Sequence, residues 1–129
     1  MGCYMQITES NFTVKKGNFD EVVKVVKSLV KDEGSLDWVN LEEVLDAKDI
    51  FEVMAKCRWT VGASTEKGDV DYIDFDGEKL GDDLILFETI APFVEKDSYI
   101  QMTGEDNSMW RWVFDGNACT ESYADIVWR

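Results

Sequence analysis

Histidine is absent from this chain of 129 residues, proline occurs once, at Pro92, and 13 basic side chains stand against 27 acidic ones. Each shortage excludes something. Without imidazole there is no Ser-His-Asp or Cys-His nucleophile, and the most common metal ligand is missing. The three cysteines, Cys3, Cys57 and Cys119, lie far apart and form no CxxC pair. A structural zinc site takes about four Cys or His ligands, so no metal and no cofactor is expected. An odd number of scattered cysteines reads as reduced, buried thiols and places the chain in the cytoplasm. No apolar run approaches the roughly 18 residues that span a bilayer, and Met1 to Ser10 lacks the basic-then-apolar pattern of a secretion signal. No GxGxxG or GxxxxGK[ST] cradle for phosphate occurs.

What the chain does have is apolar mass and negative charge. At 45% hydrophobic and 12% aromatic it can bury one core, and the absence of linkers or repeats makes residues 1–129 a single domain. The net charge is -14, unevenly spread. Residues 1–58 carry 11 acidic and 8 basic side chains, whereas residues 59–129 carry 16 and 5. Such a field repels nucleic acid and anionic membranes and attracts basic protein surfaces.

The hydrophobic spacing gives an α+β domain. Tyr4 to Val14 suits an opening strand. Asn18, with Glu21 three positions later, suits a capping box for a helix over 19–31, where Val22, Val25, Val26 and Leu29 recur at helical spacing. Residues 34–40 read as a loop or a short strand around Trp38 and Val39. Asn40 caps a short helix through Leu45, and Asp49 caps another over 50–58. Trp59 to Ala63 and Val70 to Phe75 form a hairpin around the turn at 65–69. Asp76-Gly77 is a further turn, and Asp82 or Asp83 opens another helix whose apolar stripe is Leu84, Phe87, Ile90, Ala91 and Val94, with Pro92 inside it to kink or restart it. Strands over 98–103, 109–114 and 117–123 follow, the last two joined by Asp115-Gly116. Trp110, Trp112 and Phe114 share one face, and Met109, Arg111 and Val113 the other. The expected order is β-α-α-β-β-α-β-β-β, a mostly antiparallel sheet with two to three helices packed on one face.

Glu66 to Asp83 is the most acidic stretch, with eight carboxylates against Lys67 and Lys79. Asp74-Phe75-Asp76-Gly77 resembles the middle of a calcium loop, but aligning Gly77 at its sixth position puts Tyr72 at the first, where a carboxylate belongs. The stretch reads instead as a hairpin whose exposed positions are acidic, with Asp-Gly as turn chemistry, or as an acidic docking surface made of Asp69, Asp71, Asp74, Asp76, Glu78, Asp82 and Asp83, joined by Glu105 and Asp106 of a later turn. The expected partner is a protein with a basic surface, not nucleic acid directly and not a membrane. No residue is assigned to catalysis. The aromatics Trp59, Tyr99, Trp110, Trp112, Tyr123 and Trp128 read first as core packing of one aromatic face, and the alternative function is a small-ligand pocket between sheet and helices, lined by Trp59, Trp110 and Trp112.

The runs Glu78-Lys79-Leu80-Gly81-Asp82-Asp83, Ile90-Ala91-Pro92-Phe93-Val94, Ser98-Tyr99-Ile100, Gly104-Glu105-Asp106 and Trp110-Arg111-Trp112-Val113-Phe114-Asp115-Gly116 resemble a family of small acidic proteins of Gram-positive bacteria and their phages or mobile elements. Cys3-Tyr4-Met5 and Asn11-Phe12 fit the same pattern. That family brings no established activity, so no residue role follows from it. The resemblance implies an inhibitor of the anti-defence or anti-CRISPR kind, whose carboxylates imitate phosphate spacing. The arrangement also looks ferredoxin-like, which by itself sets no function.

Overall fold

A computed structural model describes residues 5–33, 40–75, 83–104 and 108–123. Its elements run β1 (Met5–Asn11), α1 (Phe19–Glu33), α2 (Leu41–Asp46), α3 (Ile50–Lys56), β2 (Trp59–Gly62), β3 (Tyr72–Phe75), α4 (Asp83–Ile90), β4 (Tyr99–Gly104), β5 (Met109–Phe114) and β6 (Cys119–Tyr123). The fold is α+β in the expected order, with the short α2 counted as a fourth helix.

The strands divide into two antiparallel sheets: β1-β4-β5-β6, and the separate hairpin β2-β3. The opening strand stops at Asn11, short of the expected Val14, because the chain leaves the large sheet there. Phe12 and Val14 remain buried, and Val14 exchanges backbone hydrogen bonds with Val70, at 3.0 and 2.9 Å, which ties the two sheets together.

The period-2 pattern sets the large sheet's inner face. On β5 burial alternates strictly: Trp110, Trp112 and Phe114 are buried, while Met109, Arg111 and Val113 are exposed. Ile100 and Met102 of β4 join the buried face. Against it packs α4, whose Phe87 ring lies 4.9 Å from Trp112 and 6.0 Å from Phe114. The buried positions of α1, Val22, Val26 and Val30, repeat every four residues and complete the core.

Caps and turns set the boundaries. The Asn40 and Asp49 side chains accept the Glu43 and Glu52 N–H groups at 3.1 and 2.9 Å, as the sequence predicts; losing such a cap costs about 1 kcal/mol. Helix α3 ends sooner than expected, at Lys56, because Arg58 takes a left-handed conformation with φ of 73°. Pro92 ends α4 at Ile90 and sits within a 3-10 turn over Ala91–Phe93. Gly116 has φ of 93°, the region that makes Asp-Gly a tight hairpin turn.

Candidate docking surface

The acidic residues of the β2–β3 hairpin are held by their own neighbourhood. Asp69 accepts the Lys16 N–H at 2.7 Å and lies 3.8 Å from the Lys15 ammonium. Asp71 accepts both the Ser64 hydroxyl, at 2.5 Å, and the Ser64 N–H, at 3.0 Å. The Ser64 hydroxyl is the main reason that this carboxyl titrates below its ordinary 3.8. These bonds stitch the ends of the hairpin loop together and link it to the segment before α1. Asp74 points to solvent and accepts the Phe75 N–H at 2.9 Å.

Asp83 is not on this surface. It is the first residue of α4, 1% exposed, and its carboxylate accepts the Trp59 indole N–H at 3.0 Å. A buried tryptophan needs an acceptor, and a carboxylate at a helix N-terminus is electrostatically suited to supply one. Asp76, Glu78, Asp82, Glu105 and Asp106 lie outside the described residues.

Of the tryptophans weighed as a pocket lining, Trp59 and Trp112 fill the space between sheet and helices, as the core reading of these aromatics expects, while Trp110 also borders a depression on the sheet. Trp59 is fully buried and Trp112 is 1% exposed, with their rings edge-to-face at 5.9 Å. Trp59 also meets Phe87 at 5.0 Å and Phe75 at 4.7 Å, and Trp110 meets Trp112 at 6.1 Å. Each such pair adds about 0.5–1.5 kcal/mol beyond its burial, so the cluster is a structural core. A depression of about 260 Å³ does lie at one end of the large sheet, lined by Gln101, Met109, Trp110, Arg111, Ser122 and Tyr123. It is smaller than the usual 300–1,000 Å³ of a ligand pocket.

A second acidic surface lies on α2 and α3, where charge counted by halves of the chain hides it. Glu42, Glu43, Asp46, Asp49 and Glu52 are all exposed there. Glu43, Asp46 and Glu52 share the walls of a cavity of about 390 Å³ with Ala47, Ala55 and Lys56. Five carboxylates in residues 42–52 against the one Lys48 were the available signal. The positions that cap these helices and stay outside the core are where acidic residues are favoured, so the helices gather charge on one side. Among the described residues no group of three or more Cys, Asp or Glu side chains is placed to hold a metal ion.

Two ion pairs of the described residues are Lys15–Asp69 at 3.8 Å and Arg111–Glu9 at 3.5 Å. No helix in the described residues is long and apolar enough to cross a membrane. No family model, no curated protein and no solved structure matches the chain.

Proposed function

We propose that this chain is a non-enzymatic binding protein whose carboxylate-rich surface docks on the basic surface of a cytoplasmic partner protein. The observation that carries the reading is the excess of 27 acidic over 13 basic side chains, which leaves more carboxylates than the chain's own cations can offset. Charge that is not neutralised within the molecule steers encounters with a positive surface and raises the association rate. The concrete form is an inhibitor from a phage or mobile element that occupies a nucleic-acid-binding groove. The resemblance to acidic mobile-element proteins favours this form. The docking residues of this reading are Asp74 on β3 and the α2–α3 carboxylates, together with Asp76, Glu78, Asp82, Glu105 and Asp106. Asp69 and Asp71 contribute to the field from fixed positions, while Asp83 serves the core.

The test is affinity capture from a lysate of the source organism at low and high salt. Exposed charge is screened over about 8–10 Å at physiological ionic strength, so a basic partner should be retained at low salt and released as salt rises. Neutralising Glu43, Asp46 and Asp74 to their amides should weaken capture while leaving the fold intact. A partner retained equally at high salt, or no partner at low salt, would defeat the reading.

A further inference from the structure

The outer face of the large sheet differs from the rest of the molecule. The side chains of β1, β4, β5 and β6 that face away from the helices include Thr8, Glu9, Tyr99, Gln101, Arg111 and Val113, and none is fully buried. Glu9 and Arg111 are the only charged groups among the outward residues of these four strands, so the face is neutral in a chain of net charge -14. Arg111 is also fixed in place. Its Nε donates to Gln101 Oε1 at 2.8 Å, its guanidinium lies 4.7 Å from the centre of the Tyr99 ring, and its Nη2 is 3.5 Å from Glu9.

We infer that this face is where a second copy of the chain docks. Two acidic molecules repel each other wherever carboxylates meet, and this is the one described sheet face that can be opposed to itself without that cost. The register makes it self-complementary as well. Glu9 pairs with Gln101, and Gln101 with Arg111, so the two charges sit on either side of β4. A two-fold axis running along β4 above Gln101 exchanges the two sides. It brings Glu9 of one copy over Arg111 of the other and, by symmetry, the reverse, with the two Tyr99 rings meeting near the axis. The ion pair within each copy is solvent-exposed and weak, so sharing it across four groups costs little.

The area sets the strength. With the axis along β4, strands β1, β4 and β5 of the two copies overlap; three strands at about 4.8 Å spacing and five or six residues at about 3.3 Å each present a patch on the order of 250 Å². A standard stable interface buries about 800 Å² per partner, so the pair is a concentration-dependent dimer and not an obligate one. Association through this face leaves the α2–α3 carboxylates and the β2–β3 hairpin pointing outward, which makes the dimer bivalent toward a basic partner.

Sedimentation velocity over a roughly hundredfold range of protein concentration tests the inference. The wild-type chain should shift from monomer toward dimer as concentration rises. Arg111→Glu places four carboxylates in the contact and should weaken the dimer by about tenfold or more. The exchange Glu9→Arg with Arg111→Glu restores the alternation of charge and should restore the dimer. Circular dichroism confirms that each variant is folded. A chain that stays monomeric throughout, a dimer indifferent to Arg111→Glu, or a double variant that fails to recover would each overturn it.

Discussion

Asp83 shows how a residue read as surface charge becomes part of the core. In sequence it is one more carboxylate in an acidic stretch and a good start for a helix. In the fold the first turn of α4 sits over β2, and the only way to bury Trp59 without stranding its indole N–H is to bring an acceptor inside with it. Replacing Asp83 by Ala leaves that donor without this partner and should cost about 1–3 kcal/mol in urea unfolding followed by circular dichroism. Asp83→Asn keeps an oxygen that can accept the same bond, so its loss should be clearly smaller. Equal losses would show that the negative charge, rather than the acceptor, is what the site needs.

At the scale of elements, turn chemistry organises the second half of the chain. The Asp115 carboxylate accepts the Ala118 N–H at 2.7 Å and the Asn117 N–H at 2.9 Å, which closes the β5–β6 turn. Those bonds, the Ala118 one foremost, hold its carboxyl below the ordinary 3.8. Because the native value is the lower one, the stabilisation is fully present above pH 3.8 and disappears as pH falls through the native value. Acid unfolding of Asp115→Ala should therefore begin from a lower stability at neutral pH and show a shallower slope below pH 3.8 than wild type. An unchanged slope would remove Asp115 from the list of acid-sensitive groups. The same logic places Asp71 and its Ser64 bonds at the base of the β2–β3 loop. Elements of this kind were legible beforehand, since Asn40, Asp49 and Asp115-Gly116 act through residues within three positions of themselves.

For the whole molecule, the thiols report on cooperativity. Cys57 is packed at the end of α3 and Cys119 at the start of β6; burial foremost pushes both to about 12. In the native protein at pH 8 both should resist iodoacetamide, and both should be alkylated once urea unfolds the chain, as read by mass spectrometry of their peptides. Fast alkylation of Cys57 in the native state would mean that α3 opens apart from the rest of the core.

The amino-acid sequence by itself determined the fold class, the order of elements, the two helix caps, an interruption at Pro92 and the two faces of β5. All of these follow from local spacing and from backbone chemistry that a residue imposes on its neighbours. Only the tertiary structure decided that the strands form two sheets, that Asp83 belongs to the core, and that α2 and α3 present a second acidic surface. Those outcomes depend on which distant segments meet, as when Val14 bridges Val70 or Trp59 finds Asp83, and no spacing along the chain encodes such a meeting.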